Sequence, residues 1–141
     1  TDQPAMIPDD FIDINSEKIR IYRQLDSLPI EKEIDKLAAQ LVDRFGPLPQ
    51  EVENLIHVVK VRNLGASLGF EKIIIKNGMM IFFFITNAMS PYYRTDTFTR
   101  VLEKVGENQM FNMKQVENRL KLVVRNVDSM QKAYSVLKKL Q

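Results

Sequence analysis

The chain of 141 residues contains no cysteine. That removes disulfides, thiolate nucleophiles and zinc sites built on cysteine, and it suits a reducing compartment. A single histidine occurs, His57, with no second histidine to share a metal and no cysteine to activate. Glycine is scarce, at five residues. None of them belongs to a G-x-x-x-x-G-K-[ST] or G-x-G-x-x-G motif, so no phosphate-cradling nucleotide loop is encoded. The longest apolar run, Met79 to Ile85, falls far short of the roughly 20 residues that span a membrane. The opening Thr1-Asp2-Gln3-Pro4 has neither a basic nor an apolar secretory segment, and no initiator methionine. The expectation is a processed product or, by preference, an excised piece of a larger cytoplasmic protein.

What is present is ordinary globular composition: 45% hydrophobic and 27% charged residues, enough for one domain or two small lobes. The net charge of +2 conceals an asymmetry. Residues 1–70 hold 8 Lys/Arg against 12 Asp/Glu, and residues 71–141 hold 12 against 6. An acidic half joined to a basic half suggests two surfaces for two partners, or two solvated faces.

Residues 5–14 read as an extended lead-in, since Ile7 precedes a proline and is biased away from helix. Phe11, Ile12 and Ile14 are apolar enough to dock. Asn15 or Ser16 is placed to cap a first helix with Ile19, Tyr22 and Leu25 inward, and Pro29 ends it or opens the next. Ile34, Leu37, Ala38, Leu41 and Val42 then follow the i, i+3, i+4, i+7, i+8 spacing of an amphipathic helix. Gly46 and Pro47 stop that helix, and Pro49 opens a third, with Val52, Leu55, Ile56 and Val59 inward and Gly69 as its stop. After that the period changes. Ile73 to Ile75 favour a strand, Asn77-Gly78 fits a tight hairpin turn, and Met79 to Ile85 reads as a central strand covered on both faces. Thr95 or Asp96 caps a fourth helix with Phe98, Val101, Leu102 and Val105 inward and Gly106 at its end. Met110 to Val116 and Arg119 to Asn126 form a second hairpin across Glu117-Asn118. Asp128 or Ser129 caps a last helix with Met130, Ala133, Tyr134, Leu137 and Leu140 inward. The expected fold class is α+β in a single domain, 1–141. A three-helix lobe, 15–69, precedes an antiparallel sheet of two hairpins with two helices (ββαββα), 70–141.

His57 lies beside the apolar stripe of its helix, which suits a structural or surface role better than a base without positioned partners. The clustered carboxylates Asp9, Asp10, Glu31, Glu33, Asp35, Glu51 and Glu53 offer an acid/base pair or a metal cage. Glu31, Glu33, Glu51 and Glu53, however, fall in first helical turns, where acids offset the helix dipole. Arg119, Lys121 and Arg125 alternate onto one strand face and form a nucleic-acid candidate, with Phe82 and Phe84 as a possible stacking platform or as core. Leu120, Leu122 and Val124 point the other way. The most distinctive stretch is Asp43-Arg44-Phe45-Gly46-Pro47-Leu48-Pro49. Its glycine and prolines are punctuation, but an Asp in a last helical turn opposes the dipole and calls for a partner, either Arg44 or a basic group on another domain.

Three stretches resemble the C-terminal domain of bacterial transcription-repair coupling factors. They are Ile7-Pro8-Asp9-Asp10-Phe11-Ile12, Arg20-Ile21-Tyr22-Arg23-Gln24-Leu25 and Leu41 through Pro49. Val52-Glu53-Asn54-Leu55 and Arg62 to Gly69 continue the likeness over residues 6–70, while residues 71–141 agree in element order. The resemblance implies a larger parent, an ATP-dependent, helicase-like DNA translocase that displaces stalled RNA polymerase and recruits nucleotide-excision repair. ATP and magnesium would bind the parent's motor domains, leaving this chain without catalytic, cofactor or metal site. The implied role is autoinhibitory. The domain packs on the N-terminal domain of the same polypeptide and hides the surface that binds the excision-repair damage-recognition subunit. Asp43, with Gln40 one turn earlier and Arg44 beside it, is the implied interdomain contact. Many relatives carry Glu where this chain has Gln40, so the ionic latch is weaker here, or Glu33 or Asp35 substitutes.

Overall fold

The structure, a computed structural model, describes residues 3–28 and 30–141. The expectation about Pro29 lies outside them. The chain divides into two compact units, residues 3–63 and 64–141. The sequence places the change of lobe at 69/70, whereas this division falls inside the third helix.

The first unit consists of a lead-in and three helices, α1 (Asn15–Ser27), α2 (Glu31–Phe45) and the greater part of α3 (Gln50–Ser67). The lead-in is not simply extended. The N–H groups of Phe11 and Ile12 both donate to the Pro8 carbonyl, at 3.0 and 3.1 Å, closing a turn that sends Ile7 and Ile12 into the core. Ile7 N–H also donates to the Tyr22 hydroxyl at 2.8 Å. Met6 N–H donates to the Glu51 carbonyl at 3.1 Å, and the Asn54 side-chain amide donates to the Pro4 carbonyl at 2.8 Å. Asn54 is buried, and these bonds satisfy it at both ends, because its Oδ1 accepts from Gln50 Nε2 at 3.0 Å. Around the strap, Ile21, Leu25, Ile34, Leu37, Leu41, Val52, Ile56 and Val59 complete one core. Each such side chain contributes about 1.5–3 kcal/mol by leaving water.

Further expectations for this unit are corrected. Neither Asn15 nor Ser16 caps α1; Ile14 holds that position without a side-chain cap bond and stays 58% exposed rather than docked. The inward face of α1 is set by Ile21 and Leu25, leaving Ile19 half exposed. In α2, Ile34, Leu37 and Leu41 are buried but Val42 is 44% exposed, because the stripe needed against its neighbours is narrower than the apolar pattern. The glycine stop stands. Gly46 takes φ +92 and its N–H donates to the Val42 carbonyl at 2.9 Å, as a left-handed stop requires. Pro49 is one place earlier than expected; its carbonyl receives the Glu53 N–H, so it precedes α3 rather than opening it.

The second unit begins with the end of α3, followed by strands β1 (Lys72–Lys76) and β2 (Met79–Phe83), a 3₁₀ turn (Pro91–Arg94), α4 (Asp96–Glu107), β3 (Asn112–Val116), β4 (Arg119–Arg125) and α5 (Met130–Lys138). The α+β class and the ββαββα order are as expected. The sheet is wholly antiparallel, in the order β1-β2-β4-β3. Asn77 and Gly78 both take positive φ, 53 and 74, the type I′ geometry whose twist matches a hairpin. Thr95 Oγ1 caps α4 by accepting from Phe98 N–H at 3.2 Å, and Ser129 Oγ caps α5 by accepting from Lys132 N–H at 3.1 Å.

One sheet face is core. Met80, Phe82, Phe84, Leu122 and Val124 are buried, as are Met130, Ala133, Tyr134, Leu137 and Leu140 from and just after α5. Phe98 of α4 meets Phe84 edge-on, with centroids 5.7 Å apart. The end of α3 comes so close that a Cβ on Gly65 would lie 2.6 Å from Ile73 Cδ1. At Gly69, φ +93 makes the stop, and an added Cβ would fall 2.0 Å from the Tyr92 ring. That ring is held by its hydroxyl, which donates to the Leu68 carbonyl at 2.5 Å.

Three corrections belong to this unit. β2 is central but covered on one face only, since Met79, Ile81 and Phe83 remain partly exposed. Leu102 is 38% exposed, and Val101 takes the buried position on α4. Gly106 does not end α4, which runs on to Glu107. No helix among the described residues is long and apolar enough to cross a membrane.

Candidate functional site

Helix α2 presents Gln40, Asp43 and Arg44 to solvent; all three are exposed. Gln40 and Asp43 are three residues apart, so they share a face. Gln40 also helps line a shallow pocket of about 260 Å³ with Gln24, Leu28, Glu33, Lys36 and Leu37, so an apolar floor lies next to the polar row.

Arg44 does not pair with Asp43. It reaches α1, where its Nη2 stands 3.3 Å from Glu17 Oε1, and its guanidinium lies 4.9 Å from the centre of the Phe45 ring. Arg20 holds the other oxygen of Glu17 at 2.8 Å. Hydrogen bonds from Arg20 and then Arg44 hold the Glu17 carboxyl below the usual carboxylate value. Arg44 is therefore a tie between α1 and α2, and Glu17, which sequence reasoning passed over, is its partner. A carboxylate 27 positions away leaves no local signal for that pairing.

Asp43 makes no hydrogen bond or ion pair among the described residues. It sits in the last turn of α2, beside carbonyls that carry the negative end of the helix dipole. Nearby Val42 is 44% exposed. A bare carboxylate next to an unburied aliphatic side chain is suited to a cationic partner surface. Of the two proposed substitutes for Gln40, Asp35 is engaged by Lys60 at 2.5 Å, whereas Glu33 lines the shallow pocket beside Gln40.

The remaining candidates are dispersed. His57 Nδ1 lies 2.9 Å from the Glu53 carbonyl one turn back, a contact along its own helix. Asp9 is paired with Lys18. Glu31 and Glu33 occupy the first turn of α2, and Glu51 and Glu53 that of α3. On the sheet, Arg119, Lys121 and Arg125 do share one face, opposite to Leu122 and Val124. Phe82 and Phe84, by contrast, are fully buried and offer no platform. Phe83 is the aromatic on the basic face, with the Arg119 guanidinium 4.7 Å from its ring centre.

Fold and site define an α+β domain with an exposed carboxylate at a helical corner. Its family follows directly: the chain belongs to the TRCF domain family, whose model matches residues 1–95. The chain is 36% identical over 69 residues to the transcription-repair-coupling factor of Rickettsia prowazekii, a match covering 49% of this chain and 6% of that protein. It is 31% identical over 70 residues to that of Escherichia coli, covering 50% of this chain and 6% of the relative. The chain thus spans a small fraction of the length of these relatives. A solved structure titled as the C-terminal domain of transcription-repair coupling factor superposes with a TM-score of 0.82, covering 99% of this chain and 88% of that one at 16% identity. At that identity the likeness speaks for the fold, and the fold extends through the half that the sequence matches leave out.

Proposed function

We propose that this chain is a non-catalytic regulatory domain of a transcription-repair coupling factor, and that the Gln40–Asp43 face of α2 docks on the N-terminal domain of the same polypeptide. In this reading the parent is a cytoplasmic ATP-dependent DNA translocase that removes stalled RNA polymerase. Docking hides its surface for the excision-repair damage-recognition subunit. ATP and magnesium belong to the parent's motor, outside this chain.

One observation carries the reading: Asp43 is an exposed carboxylate without a partner among the described residues, at the end of a helix whose dipole disfavours it. Folding alone gives no reason to keep it there. Arg44, tied to Glu17, holds α1 against α2 beneath that corner and serves the contact by position. A latch that must open needs only a coupling of about 1–3 kcal/mol, a factor of roughly 5–150 in affinity. One carboxylate at a half-apolar rim meets that requirement without the desolvation cost of a buried pair.

The test is Asp43→Arg in the full-length protein. Charge reversal should loosen docking and raise both ATPase activity and affinity for the damage-recognition subunit. Gln40→Glu should do the opposite. If both substitutions leave the two readouts unchanged, α2 is not the docking face.

A further inference from the structure

The solvent-side face of the four-stranded sheet has a charge pattern that the α2 contact does not use. Its registers place Lys72, Phe83, Lys121 and Lys114 in one row across β1, β2, β4 and β3. Ile74, Ile81, Val123 and Asn112 form the next row, and Lys76, Met79 and Arg125 the one after. Arg119 stands opposite Val116 at the hairpin end. The face therefore carries Lys72, Lys76, Lys114, Arg119, Lys121 and Arg125 and no acidic strand residue. Only Arg119 has an ion pair, with Glu71 at 3.0 Å, among the described residues. Lys114 and Lys121 are direct cross-strand partners, a like-charge pairing that costs stability in a sheet. Between the cationic rows, spaced about 13 Å apart by strand geometry, Ile74 and Ile81 remain partly exposed while Val123 is buried, and Phe83 is partly exposed within the first row.

We infer that this face binds single-stranded nucleic acid, its two lysine and arginine rows following the phosphates and the Phe83–Arg119 stack receiving a base. An anion removes the Lys114–Lys121 repulsion. The Arg119 guanidinium, 38% exposed and lying over the partly exposed Phe83 ring, offers its outer plane as a stacking surface for any base. The strand residues that make up this face offer no helix for a duplex major groove. Lysine dominance argues against a protein occupant, since protein interfaces are depleted in lysine. The inference does not depend on the docking role of α2.

The experiment is fluorescence polarisation of the intact 141-residue chain with labelled oligo-dT and oligo-U, competed by duplex DNA and by polyglutamate. Both single strands should bind at 50 mM salt. Affinity should fall about 100-fold by 200 mM, as expected for roughly five neutralised phosphates on a single strand. Lys114→Gln with Lys121→Gln should weaken binding and lower the salt slope by about 1.4, two phosphates' worth. The same charge change at Lys132 and Lys139, around α5, should leave affinity within about twofold. Preference for DNA or for RNA identifies the natural strand; either supports the site. Absence of binding at 50 mM, stronger binding to duplex or to polyglutamate, or equal loss from the α5 changes overturns it.

Discussion

Asp43 and Gly69 separate two reasons for a residue to sit where it does. Asp43 works against its own helix, so Asp43→Asn should raise the stability of the isolated chain by about 0.3–1 kcal/mol. Thermal melting reads this directly, and an unchanged or lower midpoint would remove the dipole argument. The same substitution should weaken docking, so stability and binding move in opposite directions. Gly69 serves the fold. Its φ of +93 disfavours any side chain, and the Tyr92 ring occupies the space a Cβ would need. Gly69→Ala should cost about 2–4 kcal/mol, combining left-handed strain with overpacking. A melt within a degree of the parent chain would remove both the strain and the overpacking arguments.

Capping divides the helices. Thr95 and Ser129 bond the first turns of α4 and α5, so Thr95→Ala and Ser129→Ala should each cost about 1 kcal/mol. Asn15→Ala and Ser16→Ala should be close to neutral, because Ile14 occupies the cap position of α1 without a side-chain bond. Chemical denaturation of the four variants checks the contrast. These elements also show what could be read from the chain beforehand. Helix and strand identity came through wherever punctuation was local, as at Gly46, Asn77-Gly78 and Thr95. Facing was misjudged where it depends on which neighbour covers an element: Ile19, Val42 and Leu102 fit an apolar period yet stay half exposed. Asp43 was legible because it contradicts its helix. Lys72, Lys76 and Lys114 were not, because only the strand registers bring them beside Arg119, Lys121 and Arg125.

For the molecule as a whole, alkali is the informative perturbation. Burial pushes the Tyr92 phenol from 10.0 up to about 12, and burial followed by the Glu71 charge raises Tyr93. Between pH 10 and about 12 the folded chain keeps a proton that the unfolded chain releases, so stability is complete below that window and declines across it. Tyr92→Phe should flatten the decline in a denaturation series over this range. A slope identical to that of the parent chain would place the responsible group elsewhere. The unit of residues 3–63 contributes a different kind of property through its lead-in strap. Pro4 and Met6 are fastened to Asn54 and Glu51 of α3, and Ile7 to Tyr22 of α1, so the strap ties two helices of the unit together. Ile7 and Ile12 anchor the same segment in the apolar core, so shortening the chain from its start as far as Ile12 would open the helical unit's core to water as well as remove those ties.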